Sequence, residues 1–244
     1  MTRPLPRLLV VAASAAAVVA LIAAPAGADP AWASAQALPG LSQLNTTGSA
    51  TVDDLSCSSA GNCGLIGTYS DSIRHVQGFV ANEVNFVWGN AQPIPGLVDL
   101  NVNGSIAFPS ISCPSATACS ITGTYTDGQG NPYGFVDNET NGTWGTAQTL
   151  PLSSSLPTAT QSVADVIKCT SPGTCVASGA YQDVNGGQAF VVSETSGTWS
   201  GAVEVPGTGQ LNAGGFAIGT WMSCPQAGSC TLTGVYTDGG KNVQ

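Results

Sequence analysis

A pair of cysteines recurs along the chain at a nearly constant interval. The eight cysteines form four pairs of identical spacing, and the first members of successive pairs lie 56, 56 and 55 residues apart. The pairs are Cys57/Cys63, Cys113/Cys119, Cys169/Cys175 and Cys224/Cys230. A period of this size indicates a tandem array of one supersecondary unit, in which each unit covers its apolar face with a neighbour.

Aromatic residues keep the same register as the cysteines. The repeated aromatic residues are Trp32, Trp88, Trp144 and Trp199, then Tyr69, Tyr125, Tyr181 and Tyr236, then Phe79, Phe135 and Phe190. We interpret these series as packing between units, because aromatic side chains dominate protein cores.

Each unit has the pattern of an antiparallel meander of four strands. Four short runs, rich in β-branched and aromatic residues and separated by turn-forming sequences, span residues 105–113, 119–125, 133–137 and 143–150 of one unit. No segment after the N-terminal leader has convincing helical spacing. The sequence therefore predicts an all-β chain.

A single four-stranded sheet cannot bury both of its faces, whereas copies stacked around an axis can. We therefore predict a β-propeller of four-stranded antiparallel blades, with about four repeats, and the alternative is a β-sandwich. The units span approximately residues 31–48 (a fourth strand only), 49–96, 105–151, 161–206 and 216–244 (a partial unit).

The incomplete last unit has two interpretations. The N-terminal strand within 31–48 could complete that blade and close a four-bladed ring, or the chain could be a piece of a longer propeller. We favour the longer propeller, because an unpaired strand edge promotes aggregation.

Residues 1–28 have the features of a secretory signal peptide. Arg3 and Arg7 precede an apolar run over residues 8–24, and the small-residue cleavage pattern Ala26-Gly27-Ala28 follows. A membrane-spanning helix is the alternative, but the run is at the lower length limit for a span. We predict a secreted protein whose mature domain, residues 29–244, is not associated with a membrane.

Export favours disulfide bonds within the four cysteine pairs. Each pair brackets five turn-forming residues, so each bridge would join the first and second strands of one unit and close a small loop. A metal site is less suited to this pattern, because the pairs belong to separate units and His75 is the only histidine. We expect no metal and no cofactor.

The charge balance restricts the possible partners. Fourteen acidic residues outnumber five basic ones, and removal of the signal peptide leaves a side-chain charge of −11. Nucleic acids are excluded, because their binding requires clustered Lys and Arg. Polar, nearly uncharged loops suit a neutral glycan or a cell-surface polymer instead.

The predicted binding residues lie in the connections on one face of the propeller, since loops on a rigid scaffold carry most binding sites. They are Asp71, Asp127, Asp183, Asp238, Asn45, Asn101 and Asn212. The four Asp have a second interpretation, because an Asp that begins a β-turn caps its own backbone. Ligand or calcium binding is the functional alternative.

Glu83, Glu139 and Glu194 also repeat. Paired carboxylates can hydrolyse glycosides, but the reaction needs carboxyl groups with different pKa values, and similar units give similar environments. We therefore interpret these glutamates as structural or solvated. The sequence also lacks a G-x-S-x-G motif, and we predict no catalytic residues.

The repeat follows the motif S-C-x5-C-x3-G-x-Y-x-D and then the motif F-V-x-x-E-x-x-G-T-W-x-x-A-x-x-x-P. This pattern resembles the tandem repeat of secreted actinobacterial proteins, some described as sialidase-like β-propellers. The resemblance implies a propeller and export, but no activity. Sialidases use an arginine triad, whereas Arg74 is the only arginine after residue 28, and the pattern S-x-D-x-G-x-x-W is absent. We predict a non-catalytic extracellular binding or scaffold module, with a glycan-active hydrolase on a sialidase-like fold as the alternative.

Overall fold

Four antiparallel sheets, one from each predicted repeat, make up the residues that the computed structural model describes, which are 34–153, 156 and 160–244. The predicted signal peptide over residues 1–28 lies outside these residues. The prediction of an all-β chain is confirmed.

The first two units each form a sheet of five strands. The first sheet contains β1 (Thr51–Ser59), β2 (Asn62–Ser70), β3 (Val76–Val84), β4 (Val87–Trp88) and β5 (Gln92–Pro93). The second sheet contains β6 (Ile106–Ser115), β7 (Ala118–Thr126), β8 (Pro132–Thr140), β9 (Thr143–Trp144) and β10 (Gln148–Thr149).

The third unit repeats this arrangement and the fourth has two strands. The third sheet contains β11 (Gln161–Ser171), β12 (Thr174–Asp183), β13 (Gly186–Thr195), β14 (Thr198–Trp199) and β15 (Val203–Glu204). The fourth sheet contains β16 (Ala217–Gln226) and β17 (Ser229–Tyr236). Below, the strands of a unit are called first, second and third in chain order.

The single fourth strand predicted for each unit is wrong in detail, because two short strands take its place. In the second unit, β9 and β10 both pair with β8. Between them the Gly145 amide donates to the Asn138 carbonyl at 2.9 Å, and this bond interrupts the regular ladder. The other two complete units have the same interruption, at Gly89 and Ser200.

The connections contain short helical turns that the sequence did not indicate. Three single-turn helices lie in the connections: α1 (Leu41–Leu44), α2 (Leu97–Leu100) and α3 (Thr208–Leu211). Each follows a glycine with a left-handed backbone, at φ of 79° for Gly40, 74° for Gly96 and 87° for Gly207. Four residues are too few to produce an apolar period in the sequence. Helix α1 also lies within the strand predicted over 31–48, and residues 34–40 form no strand.

The four predicted disulfides are confirmed. Each joins the first and second strands of one unit, and they are Cys57–Cys63, Cys113–Cys119, Cys169–Cys175 and Cys224–Cys230. All eight cysteines are paired in this way.

The apolar core lies between successive sheets. One cluster packs Ile66 and Val80 of the first unit against Phe135 and Trp144 of the second. A second cluster repeats this packing between the second and third units. The three repeated phenylalanines, Phe79, Phe135 and Phe190, are fully buried. The predicted packing between units is confirmed for the aromatic residues of these two clusters, which are Tyr125, Phe135, Trp144, Tyr181 and Phe190. Phe79 packs within its own unit and against the segment that precedes it, and Trp32 lies outside the described residues.

The environment of Cys175 gives the third bridge a second role, in addition to closing its loop as predicted. Although Cys175 lies next to a turn, its side chain is 2% exposed and belongs to the cluster between the second and third units. The Ser120 hydroxyl oxygen of the second unit lies 3.3 Å from its Sγ atom. The spacing of the cysteines does not reveal this role, because it depends on the face of the second strand from which the side chain extends. The third bridge is therefore also part of the core between units.

The first strands of the four units lie side by side, with β1 beside β6, β6 beside β11 and β11 beside β16. Repeated hydrogen bonds join them. The Cys113 amide donates to the Ser56 hydroxyl, and the Cys169 amide donates to the Ser112 hydroxyl, both at 2.9 Å. The described residues thus form four sheets with their first strands in one row, rather than the two sheets of a sandwich.

Candidate functional site: a groove lined by the first strands

Every first strand has a β-bulge at the same position of the repeat. The pairing register shifts just after Val52 in β1, Ala107 in β6, Ala164 in β11 and Gly219 in β16. A bulge leaves its extra residue unpaired, re-aims its side chain and occurs often beside active sites. The residues at this position, four before the first cysteine of each unit, are Asp53, Pro109, Asp165 and Thr220.

These four residues line one groove of about 310 Å³. The residues that follow them in the chain line it as well: Asp54, Ser110, Val166 and Trp221. Lys168 and Met222 complete the lining. All four units therefore contribute to the same groove. Because the lining residue differs from unit to unit, repeated strands here form an asymmetric site.

The carboxylates of the groove have different hydrogen-bond partners. Asp54 accepts hydrogen bonds from the Ser110 hydroxyl at 3.0 Å and the Ile111 amide at 2.9 Å, so it links β1 to β6. The Thr68 hydroxyl donates to Asp53 at 3.3 Å. For Asp165, no hydrogen bond joins its carboxylate to another described residue.

Burial in the groove raises the pKa of both Asp53 and Asp165. Desolvation is the main cause for Asp53 and is partly offset by the bond from Thr68. Desolvation alone acts on Asp165. Perturbed carboxyl groups in a cleft indicate a functional site. Lys168 supplies the one cationic side chain among the lining residues.

Two aromatic side chains are exposed at the bulges. Trp221, which lines the groove, is 76% exposed. Phe108, which precedes Pro109 in the chain, is 55% exposed and has a left-handed backbone with φ of 52°. Bulky residues rarely adopt this conformation, and it is concentrated at functional sites. A solvent-facing indole beside carboxylates offers both a stacking surface and hydrogen-bond acceptors.

The four predicted Asp residues each hold the turn in which they lie. The Asp71 carboxylate accepts the amides of Ile73 and His75, both at 2.9 Å. The equivalent carboxylates of Asp127, Asp183 and Asp238 also accept amides of their own turns. Backbone hydrogen bonds lower the pKa of Asp127 and Asp238. These bonds match the turn-capping interpretation, and ligand or calcium binding stays a prediction.

The three predicted Asn residues link connections to strands. Asn101 is fully buried and donates to the Val76 carbonyl at 2.9 Å and the Gln77 side chain at 3.0 Å. Asn212 makes the same two contacts with Gly187 and Gln188. Asn45 donates to the Gly48 carbonyl at 3.0 Å and accepts the Ser70 amide of β2 at 3.2 Å. None of the seven predicted binding residues lines the groove, and their binding role stays a prediction.

The repeated glutamates join neighbouring units. The side-chain amide of Asn82 donates to Glu139, and that of Asn138 donates to Glu194, each from the preceding unit. Both glutamates are buried, and this burial raises their pKa. The structural interpretation of Glu139 and Glu194 therefore agrees with their contacts. Glu83, in the first unit, is partly buried near the end of β3.

The groove was not predicted from the sequence, because the predicted binding residues were chosen among those that recur from unit to unit. The groove residues occupy aligned positions at which the units differ, with Asp53, Pro109, Asp165 and Thr220 at one position and Trp221 beside it. That contrast was the available signal. This difference identifies the groove only when the positions of the bulges are also known, because the bulges direct these side chains away from the ladder.

Two absences hold for residues 34–153, 156 and 160–244 only. Within these ranges, no group of three His, Cys, Asp or Glu side chains is arranged to hold a metal ion. Over the same ranges, the helices are too short and too polar to cross a membrane.

Comparison with known proteins gives little. Neither a family model nor a curated protein matches the sequence. Among solved structures, the chain is similar to the Hadza microbial sialidase Hz136, with 15% sequence identity and a TM-score of 0.44. The similarity covers 62% of this chain and 36% of the sialidase chain, so it spans about a third of that protein. A similarity at this level carries no conclusion about activity.

Proposed function

We propose that this protein is an extracellular binding module built as a β-propeller, and that the groove along its first strands binds a neutral glycan or a similar cell-surface polymer. The observation that carries the proposal is the lining of the groove, where Asp53, Asp165 and Trp221 come together from three different units.

The packing of the units supports the propeller. An apolar cluster joins the first sheet to the second and another joins the second to the third, and the first strands follow one another in a single row. In a propeller, the first strand of each blade lies nearest to the axis. The groove would then be the central channel, which is a frequent position for a ligand site in radially repeated proteins.

The chemistry of the groove supports a carbohydrate ligand. The exposed face of Trp221 can stack on the apolar face of a sugar ring. The carboxylates of Asp53 and Asp165 can accept hydrogen bonds from sugar hydroxyls. The lining contains three carboxylates and one ammonium group. This excess of negative charge disfavours polyanions such as nucleic acids and acidic polysaccharides.

The four disulfides support an extracellular location, because such bonds persist in oxidising compartments. A secreted protein with this groove and a disulfide-linked scaffold would act by attachment to a polymer surface. We propose no catalytic step for this function.

Pull-down with insoluble polysaccharides and a glycan array test the proposal. We expect the purified protein to bind at least one neutral polymer, and both Trp221→Ala and Asp165→Asn to weaken binding by about tenfold or more. Phe86→Ala and Asp99→Asn, which alter exposed residues outside the groove, are matched controls and should bind like the wild type.

Two results would contradict the proposal. Failure to bind every polymer in both assays would contradict a glycan ligand. Binding that is unchanged in the Trp221→Ala and Asp165→Asn variants would contradict the groove as the site.

A glycan-active hydrolase is the second candidate, and one observation favours it. Asp53 and Asp165 line one groove and both have a raised pKa, which is a requirement for a carboxylic acid that donates a proton. Turnover of a panel of chromogenic glycosides, abolished by Asp53→Asn or Asp165→Asn, would favour this candidate. The absence of turnover across the panel would remove it.

A further inference from the structure

A cavity of about 160 Å³ lies between the second and third units, each of which forms a sheet of five strands. The second unit lines it with residues around the β6–β7 turn and at the end of β8, and its rim is exposed at Thr117, Thr140 and Asn141. The third unit contributes Pro172, Gly173, Glu194 and Gly197. The cavity shares no lining residue with the groove of the first strands, so it is a separate site.

Two side chains that line this cavity carry buried oxygen atoms without a donor. Glu194, on β13, is 1% exposed. The side-chain amide of Asn138 donates to its Oε1 atom, whereas its Oε2 atom has no partner among the described residues. The side-chain oxygen of Asn138 is likewise buried without a partner among those residues. A buried acceptor costs free energy until a donor reaches it, so this pair of side chains calls for a donor group.

The charge of Glu194 has no counterpart in the cavity. None of the lining residues is Lys, Arg or His. Glu139 also lines the cavity, but its carboxylate is bonded elsewhere. Successive residues of a strand extend to opposite faces of the sheet, and Glu139 accepts from Asn82 of the first unit while the adjacent Asn138 meets Glu194 of the third. The cavity therefore offers one carboxylate and no cation.

A serine that differs from the aligned residue of the first unit helps to open this space. Between the first and second units, the second disulfide packs directly against β2, where a Cβ atom on Gly64 would lie 2.7 Å from the Sγ atom of Cys113. Ser120 occupies the same repeat position in β7, and its hydroxyl oxygen lies 3.3 Å from the Sγ atom of Cys175. The hydroxyl thus holds the third disulfide away from the backbone of β7, and it also lines the cavity.

We propose that this cavity binds a primary ammonium group at the end of a short alkyl chain. The single positive charge of the ammonium balances the carboxylate of Glu194, and its three N–H donors suit the oxygen atoms of Glu194, Asn138 and Ser120. The volume equals that of about five water molecules, so it admits the ammonium and a few carbon atoms. A calcium ion suits the cavity less, since one carboxylate and one amide oxygen are far short of its usual set of ligands.

Titration of the isotope-labelled, disulfide-bonded protein with n-butylammonium chloride, followed by NMR, tests the proposal. We expect saturable shifts of the Asn138 side-chain amide signal, with a Kd in the millimolar range because the ligand has few atoms. The neutral alcohol 1-butanol has the same shape and should bind at least about tenfold more weakly, because the charge-assisted hydrogen bonds are lost.

Two further ligands separate the sources of such a group. The amide of Nα-acetyl-lysine represents a lysine side chain of a peptide, and 1,4-diaminobutane represents a free diamine. The tighter of the two identifies the source. Trimethylation of the lysine ammonium keeps the charge but removes all N–H donors, so the trimethylated compound should not bind.

Three protein variants locate the site. Glu194→Gln keeps the shape of the side chain and an acceptor for Asn138, and it should weaken n-butylammonium binding by about tenfold or more while leaving 1-butanol unaffected. Glu83→Gln is the matched control, because Glu83 has the same repeat position in the first unit and does not line the cavity. Asn138→Ser introduces the residue that the third unit has at the aligned position, Ser193, and should also weaken binding.

Three results would overturn the proposal. They are the absence of saturable shifts with n-butylammonium, equal binding of 1-butanol, and binding that is unchanged in both Glu194→Gln and Asn138→Ser. Displacement of n-butylammonium by equimolar calcium chloride would also overturn it, because the cavity would then be a metal site.

Discussion

Asp137 occupies a strand position that is apolar in the neighbouring units. The equivalent residues are Ala81 and Val192, and Asp137 is 3% exposed. The Asn138 amide donates to one carboxylate oxygen at 2.7 Å, while the other oxygen has no partner among the described residues. Burial raises the pKa of Asp137 to about 7. The side chain is therefore protonated in mildly acidic solution.

This raised pKa makes the stability of the fold depend on pH. In the unfolded chain Asp137 ionises with a pKa near 3.8, so between pH 4 and pH 7 the unfolded state loses a proton that the folded state keeps. The free energy of unfolding should fall as pH rises through this window. A shift of this size corresponds to a loss on the order of 4 kcal/mol, complete above pH 7.

Urea denaturation of the wild type and Asp137→Asn at pH 5 and pH 8 measures this effect. We expect the variant to be more stable than the wild type at pH 8 by a few kcal/mol, and the two to be similar at pH 5. Asp99→Asn, which removes an exposed carboxylate, should leave the pH dependence unchanged. Equal stability of wild type and Asp137→Asn at pH 8 would contradict an ionised buried carboxylate.

At the scale of the element, the unit is a hairpin closed by a disulfide and extended by a third strand. The bridge is not equally placed in all units. Cys113 and Cys119 are buried and pack in the core between the first and second units, whereas Cys230 of the fourth unit is exposed. Replacement of these bridges should therefore have different consequences.

We expect the double replacement Cys224→Ala and Cys230→Ala to lower the free energy of unfolding by about 2 kcal/mol, since the bridge closes only a short loop. Cys113→Ala with Cys119→Ala should cost more, because it also removes buried sulfur atoms from the core. Denaturant unfolding of the two variants measures the difference. Equal losses would contradict a core role for the second bridge.

The elements were predictable to the extent that they repeat. The cysteine, Phe, Tyr and Trp series indicate the hairpins, the bridges and the packing between units. They do so because the same residues recur at the same positions of each unit, so an assignment made in one unit is supported by the others. Details that depend on a few residues were not predictable. The single-turn helices at Leu41–Leu44 and Leu97–Leu100 and the interruption at Gly145 have no periodic signature.

At the scale of the whole molecule, the row of first strands brings together residues that are far apart in the sequence. Asp53, Asp165 and Trp221 belong to different units and line one groove. The sequence indicates the repeat but not which residues of the first strands face the same space, because that depends on a bulge in each strand. The candidate site was therefore not predictable, although the scaffold that holds it was.

The first strands of the four units line one groove, and zero-length cross-linking with a carbodiimide tests this arrangement most directly. Lys168, in the third unit, is one of only two lysines in the sequence and lines the groove with Asp53 and Asp54 of the first unit. Mass spectrometry of the digested protein should find Lys168 joined to Asp53 or Asp54. The exposed Lys241 is the internal control and should not be joined to them. Cross-links from Lys168 only to acidic residues of its own unit would contradict the shared groove.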